Sequence, residues 1–227
     1  MTLLLRSPTS ADVERMVALN REAYPDLIED DVVFDAAQIR SHLQRFPEGQ
    51  IVAELDGKIV GAMATMIVPP AIDPLAPHTW MGITDGGLFL RHDPHGDTLY
   101  LADIYVAQSA WGRGVGRALY VALFELCRKL KLARVIGGGR LYDYAEHSAT
   151  MTPADYVARV SRGELCDRVL VSQLRAGFEV RGLLPNYLHD WRSGHWATLL
   201  YWANPDRKAA QGQELGDLHL LTDVSQR

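Results

Sequence analysis

Residues 98–119 read TLYLADIYVAQSAWGRGVGRAL and hold the most informative pattern in the chain. The first nine are rich in aromatic and branched aliphatic side chains, which predicts a strand over residues 98–106. Residues 107–114 predict a loop. From Val115 onward the apolar residues recur at helical spacing, so we predict a helix from about Gly114 to Leu130. The stretch is therefore a strand, a glycine-rich loop and a helix.

Three glycines alternate along this loop, at Gly112, Gly114 and Gly116. Alternate glycines let the backbone turn tightly and come close to a ligand, and a turn without a ligand does not need three of them. The helix that follows presents unpaired amides and the positive end of its dipole, which suits a pyrophosphate. Arg113 and Arg117 can add charge-assisted hydrogen bonds.

Three cofactor classes use this arrangement. A Walker loop ends in Gly-Lys-Ser/Thr, but Gly116 is followed here by Arg117 and Ala118. A dinucleotide-binding fingerprint has the spacing Gly-x-Gly-x-x-Gly, whereas this chain has Gly-x-Gly-x-Gly in mid-chain. Coenzyme A is the third class.

The order of elements, with the glycine loop following a helix pair and a hairpin, resembles the GNAT acyltransferases. Their signature ends in Gly-x-Gly/Ala, which Gly114 and Gly116 match. The resemblance implies an α/β (α+β) fold with a mixed central sheet of about six or seven strands flanked by helices. We expect one GNAT domain over residues 1–203 and a polar C-terminal tail over residues 204–227.

The C-terminal half resembles one GNAT subgroup in particular. The resemblance rests on the segments GGGR at 137–140, MTPADYV at 151–157 and the run from Val169 to Tyr187. Some members of this subgroup are fused to carbon–nitrogen hydrolase domains. The acceptor of the subgroup is left open.

The rest of the chain predicts helices and strands in mixed order. Thr9 with Asp12 is typical of a capping box, so a helix begins there and ends at Pro25. Asp56-Gly57 is a two-residue hairpin signal. The remaining strands are expected at about residues 3–6, 51–55, 59–67, 133–137, 178–183 and 198–202, and the remaining helices at 35–46, from 152 and at 169–175.

As the resemblance implies, a neutral amine attacks the thioester of acetyl-CoA, or of another acyl-CoA, in a ternary complex. The acceptor would be a small-molecule or peptide amine, and a homodimer is compatible with the family. The strand would bind the pantetheine arm and the loop the pyrophosphate. The cofactor-binding residues would be Ile104, Tyr105, Val106, Gly112, Arg113, Gly114, Val115, Gly116 and Arg117.

Asp103 is the candidate general base, because a carboxylate is unusual in so apolar a strand and burial can raise its pKa. Strict alternation places its side chain with those of Leu101 and Tyr105, opposite Ala102 and Ile104. The alternative is an aspartate that faces solvent or forms an ion pair, and both interpretations stay open.

Two positions depart from the family pattern. Trp111 stands where Gln or Arg is usual, so one side-chain contact to the pyrophosphate is lost. Gln173 stands where many relatives have the tyrosine that protonates the departing thiolate. Tyr142, Tyr144 and Tyr187 are candidates for that acid, with Tyr187 preferred, although each could equally be a packed structural tyrosine.

Two other polar groups stand out. His92, Asp93, His95 and Asp97 could bind a metal or the acceptor, but their spacing matches no closed metal site and favours plain turn chemistry. We therefore predict no metal. Arg140, after two glycines, could hold an acidic group of the acceptor or be a solvated arginine.

Bulk properties narrow the function classes. The formal net charge is −5 over 227 residues, which gives no footprint for nucleic acid. Two cysteines are too few for a disulfide scaffold, and no apolar run reaches membrane-spanning length. We expect a cytoplasmic protein without membrane or nucleic-acid partners. The alternatives to an enzyme are a GNAT-fold acyl-CoA sensor without turnover and, less in keeping with the loop, a nucleotide-binding protein.

Overall fold

The computed structural model describes residues 2–27 and 32–207. Seven strands form one mixed sheet in the order β1-β2-β3-β4-β5-β7-β6. The strands are β1 (Leu3–Arg6), β2 (Gln50–Leu55), β3 (Lys58–Val68), β4 (Thr98–Val106), β5 (Arg134–Arg140), β6 (Glu179–Leu184) and β7 (Ala197–Ala203). The α-helices are α1 (Val13–Ala23), α2 (Ala36–Arg45), α3 (Trp80–Thr84), α4 (Val115–Lys129), α5 (Pro153–Ser161) and α6 (Arg168–Ala176). The predicted mixed sheet flanked by helices is confirmed.

Helices cover both faces of the sheet. On one face, α1 and α2 bury residues such as Val13, Leu19 and Ile39 against Tyr100 and other side chains of the central strands. On the opposite face, α4 buries a stripe that includes Leu119, Leu123 and Cys127. A smaller core lies between α5 and α6. We call the face of the sheet covered by α1 and α2 the α1 face, and the opposite face the α4 face.

The hairpin between β2 and β3 turns where the sequence predicts it. Asp56 and Gly57 both have positive φ, 50° and 80°, as a type I′ turn requires. The strands that flank it pair antiparallel.

β4 and β5 diverge halfway along their length. They pair in parallel only from Thr98 opposite Arg134 to Leu101 opposite Gly137. β5 then continues to Arg140 along β7, so the prediction that β5 ends at Gly137 was wrong. Its last glycines remain in the strand because they pair with β7. Neighbouring side chains occupy the space that a Cβ at Gly138 or Gly139 would need. The divergence leaves a gap beside the second half of β4.

A bulge in β4 changes which side chains share a face. Ala64 of β3 lies opposite Asp103 and the next residue, Thr65, lies opposite Leu101, so Ala102 is the extra residue. The predicted alternation was therefore wrong for Leu101, which packs on the α4 face, and for Ala102, which packs on the α1 face. Asp103 faces the α1 side together with Tyr105.

The described part of the chain contains no helix that combines the length and the apolar character needed to cross a membrane. Most of the predicted polar tail, residues 208–227, lies outside the described residues. Its first residue, Asn204, is buried. The Asn204 backbone N–H donates to Ala133 at 2.9 Å and its side-chain amide donates to Leu132 at 2.7 Å.

Candidate active site

The glycine loop presents open backbone at the start of α4. Gly112 and Gly114 adopt positive φ, 72° and 80°, and Gly114 is the N-cap of the helix. Among the described residues, nothing accepts a hydrogen bond from the backbone amides of residues 114–117. A Cβ added at Gly112, Gly114 or Gly116 would meet nothing within 4 Å. The protein's own packing therefore does not require these glycines, and the free amides and open space fit a phosphate group.

Some side chains of the loop point to solvent and others into the core. Arg113 and Arg117 are exposed, and neither forms an ion pair within residues 2–27 and 32–207. Val115 is 1% exposed and anchors the helix in the core. Val115 can therefore contribute to a cofactor site only through its backbone.

Trp111 ties the loop to the end of β4. Its indole N–H donates to the carbonyl oxygen of Val106 at 3.0 Å, and the guanidinium of Arg168 lies 5.7 Å from its ring. The ring is half exposed. Trp111 thus fixes the position of the loop, a role that its place in the sequence does not reveal.

The three residues of β4 that are predicted to bind the cofactor point their backbone groups in different directions. The Ala107 amide donates to Val60 of β3 at 2.8 Å, so by alternation the backbone of Tyr105 also points toward β3. The backbone groups of Ile104 and Val106 point away from β3. The carbonyl oxygen of Ile104 lies 3.0 Å from the Tyr24 hydroxyl and that of Val106 accepts from Trp111, so the protein already engages both carbonyls. The side chain of Tyr105 is buried on the α1 face, edge-on to Tyr24 with 6.3 Å between ring centroids.

Asp103 is held by two side chains of α1 and its C-terminal end. Tyr24 donates its hydroxyl hydrogen at 2.7 Å and Asn20 donates its amide at 2.8 Å. Burial raises the pKa of Asp103 to about 6, and these two hydrogen bonds oppose the rise. No ion pair in the described part of the chain includes Asp103. It is therefore partly exposed and not ion-paired, and the ion-pair alternative does not hold.

Tyr187 lies buried on the α1 face where β4 and β5 part. Its hydroxyl is 2.6 Å from that of Tyr100, and its ring occupies the space beside Gly138 where a Cβ would otherwise stand. Burial raises the pKa of Tyr187 above its usual value. Its hydroxyl therefore stays protonated at neutral pH.

The other two candidate acids have different surroundings. The Tyr144 hydroxyl donates to the carbonyl oxygen of Met151 at 2.9 Å, and its ring packs on Tyr156 with 5.4 Å between centroids. Tyr144 is a packing residue. The Tyr142 ring lies within 5 Å of three arginine guanidinium groups, described in full below.

Gln173 lies buried on α6. Its side-chain oxygen has no hydrogen-bond partner in the part of the chain that the structure describes, and it lies beside Gly139 of β5. The nearby Tyr120 on α4 has its pKa raised by burial to about 12, an effect that hydrogen bonds to Ser172 and Gln173 reduce.

Arg140 is neither solvated nor free for an acceptor, so both interpretations of it were wrong. Only 8% of it is exposed. Its Nε and Nη2 donate to Asp190 at 2.5 and 2.9 Å, and its Nη2 donates to Asp26 at 2.5 Å. These carboxylates are distant in sequence, at separations of 50 and 114 residues, and no local signal marks them.

The residues of the 92–97 turn are engaged with their neighbours. His92 Nδ1 accepts from the amide of Ile67 at 3.0 Å, and Asp97 pairs with Arg134 at 3.0 Å. Asp93 accepts from the amide of His95 at 2.9 Å. Within the described ranges, no three His, Cys, Asp or Glu side chains are grouped to hold a metal.

Sequence reasoning missed the partners that define this site. Tyr24 lies at the end of the first helix, and nothing in the local sequence indicates that its hydroxyl reaches Asp103. Asn20 and Tyr100 likewise gained their roles only from the fold.

This chain is similar to known proteins of one family. The family model described as the acetyltransferase (GNAT) family matches residues 13–141. The uncharacterized N-acetyltransferase YkwB of Bacillus subtilis (strain 168) is 35% identical over 209 residues, which cover 92% of each chain.

Two further similarities extend this result. The probable hydrolase YhcX of the same organism is 33% identical over 90% of this chain. The match covers 39% of YhcX, so this chain spans about two fifths of that relative. The structure of the GphF GNAT-like decarboxylase in complex with isobutyryl-CoA superposes with a TM-score of 0.75 at 23% identity, covering 88% of this chain and 99% of GphF.

Proposed function

Because this chain belongs to the GNAT acetyltransferase family, we propose that it transfers an acetyl group from acetyl-CoA to a primary amine by direct attack in a ternary complex. Because members of this family use an acyl-CoA, the donor of the acetyl group would be acetyl-CoA. The observation that carries the mechanism is Asp103, a carboxylate without a cationic partner among the described residues, at the gap between β4 and β5.

The donor fits the open backbone of the loop and the strand. The free amides of residues 114–117 would hold the pyrophosphate, with Arg113 and Arg117 beside it. The backbone amides of Ile104 and Val106, whose carbonyl oxygens are already engaged by Tyr24 and Trp111, would bind the pantetheine arm in the gap. An amide of β4 there would stabilise negative charge on the thioester oxygen.

Asp103 would serve as the general base. Its pKa of about 6 leaves it ionised at neutral pH yet basic enough to accept a proton from the ammonium form of the acceptor. The Tyr24 and Asn20 hydrogen bonds fix its direction. The new bond joins the amine nitrogen to the acetyl carbon, and the bond from that carbon to sulfur breaks.

Tyr187 would supply the proton that sulfur requires. Its hydroxyl is protonated at neutral pH, and the Tyr100 hydroxyl can restore the proton through their 2.6 Å contact. In this mechanism the ammonium loses one proton to Asp103, which passes it to solvent. The second proton leaves nitrogen as the amide forms and, by way of solvent, replaces the proton that the Tyr187–Tyr100 pair gave to sulfur. The products are the acetamide, the thiol of coenzyme A and one proton.

A thiol-release assay tests the proposal. Purified protein is mixed with acetyl-CoA and a panel of primary amines, and free coenzyme A is measured with a thiol reagent. We expect thiol release that requires an amine and yields its acetamide. Binding of acetyl-CoA without thiol release across the panel would favour a sensor. Loss of CO₂ from a carboxylated acyl-CoA, without an amine, would assign decarboxylation instead.

A further inference from the structure

Three arginines from separate parts of the chain converge on one aromatic ring. The ring belongs to Tyr142, just after β5. The guanidinium carbons of Arg192, Arg168 and Arg140 lie 4.3, 4.7 and 4.9 Å from its centroid. We call this group the Tyr142 cluster. Cations gain from an aromatic face, but three of them so close repel one another unless anions balance them.

Among the described residues, two aspartates form ion pairs with arginines of this cluster. Asp190 and Asp26 both bind Arg140. Arg192 reaches Asp26 only at 3.9 Å, and its Nε is buried with no hydrogen-bond partner among the described residues. Arg168 is exposed at the start of α6, and within residues 2–27 and 32–207 its side chain forms no ion pair or hydrogen bond. The positive charge of Arg168 therefore has no ion-pair partner among the described residues, and that of Arg192 has only a distant one.

The cluster lies between the general base and the cofactor loop. Burial raises the pKa of Tyr24 well above its usual value, and the charge on Arg140 is near enough to oppose that rise. Tyr24 in turn donates to Asp103. On the other side, Arg168 lies beside Trp111, the residue that precedes the glycine loop. A molecule that places its amine near Asp103 therefore has this positive charge within reach.

We propose that Arg168 and Arg192 bind a carboxylate of the acceptor, so that the acceptor is an amine that also carries a carboxylate, as an amino acid does. The inference rests on the proposed function and names its substrate class. Guanidinium groups bind carboxylates in paired hydrogen bonds, and the unpartnered Nε of Arg192 supplies one donor. The phosphates of the donor would bind to the loop amides and to Arg113 and Arg117, and not to this cluster.

The test is calorimetric titration of the protein saturated with coenzyme A. The probes are free L-amino acids and their carboxamides, which keep the amine and lose the negative charge. We expect at least one amino acid to bind 10-fold or more tightly than its own amide, about the effect of one lost charge-assisted contact. In Arg168→Gln and Arg192→Gln this preference falls to about 2-fold or less. Arg159→Gln, which removes an exposed arginine of α5, keeps it.

Two results overturn the inference. One is that no amino acid binds better than its amide. The other is that Arg168→Gln and Arg192→Gln weaken coenzyme A itself, which would assign the cluster to the donor's phosphates. Because the readout is equilibrium binding, absence of acetyl transfer to any amine contradicts the proposed function without changing the result here.

Discussion

The glycine loop before α4 and the proposed acceptor site around Asp103 are built in opposite ways. The loop is one contiguous segment, and it presents backbone amides at Gly114–Arg117 that no described residue satisfies. The acceptor side is made of side chains from distant segments, including Tyr24, Asp103 and Tyr187, which bond to one another or to neighbours. The loop presents backbone amides without partners, whereas the region around Asp103 consists of side chains that already form hydrogen bonds with one another or with neighbours.

The difference decides how each region responds to substitution. A site made of backbone depends on space and on glycine, and tolerates changes that leave the amides uncovered. A site made of linked side chains depends on the register of β3 and β4, because the bulge at Ala102 turns Asp103 toward α1. The two regions should therefore fail separately, one in binding and the other in turnover.

The largest expected effect is on the acceptor side. Asp103→Asn keeps the shape but removes the base, so kcat should fall by a factor on the order of 10² to 10⁴. The dissociation constant of acetyl-CoA should not change. Steady-state thiol release and calorimetry measure the two quantities. Glu125→Gln removes an exposed carboxylate of α4 and serves as the control. An unaltered rate in Asp103→Asn would remove this residue from the mechanism.

The corresponding change in the loop is Gly116→Leu. A Cβ here meets no protein atom within 4 Å, and leucine favours the helix more than glycine does, so thermal stability should stay equal or rise. The same side chain covers the amides, and affinity for acetyl-CoA should fall about 100-fold, or roughly 2.8 kcal/mol. Val121→Leu, at an exposed position of α4, is the matched control. Unchanged affinity would place the pyrophosphate elsewhere.

A smaller effect separates the two buried tyrosines. Tyr187→Phe and Tyr100→Phe delete the same hydroxyl–hydroxyl contact, but only the first removes the proposed acid. Because a thiolate leaves readily, Tyr187→Phe should lower kcat by about 10-fold, near the small end for general acids. Tyr100→Phe should lower it by about 2-fold or less. Equal losses in the two variants would show that the contact matters and the acid does not.

The same contrast explains what could be predicted from the sequence. The order of elements apart from α3, the hairpin at Asp56-Gly57 and the succession of strand, glycine loop and helix are carried by local patterns, and these agree with the structure. The side on which Leu101 lies could not be predicted, because a bulge is set by pairing with β3 and not by β4 alone. The carboxylates that neutralise Arg140 come from far along the chain and leave no local trace.

The central claim, that Asp103 is the base, is tested most directly by the pH dependence of kcat/KM. Above its pKa the carboxylate is ionised and active, and below it the carboxylate is protonated and inactive. We predict that kcat/KM rises with pH through an apparent pKa near 6. Tyr24→Phe removes a hydrogen bond that lowers this pKa, so the rise should shift to higher pH. A profile without a rise near pH 6, or one that Tyr24→Phe leaves in place, would contradict the assignment.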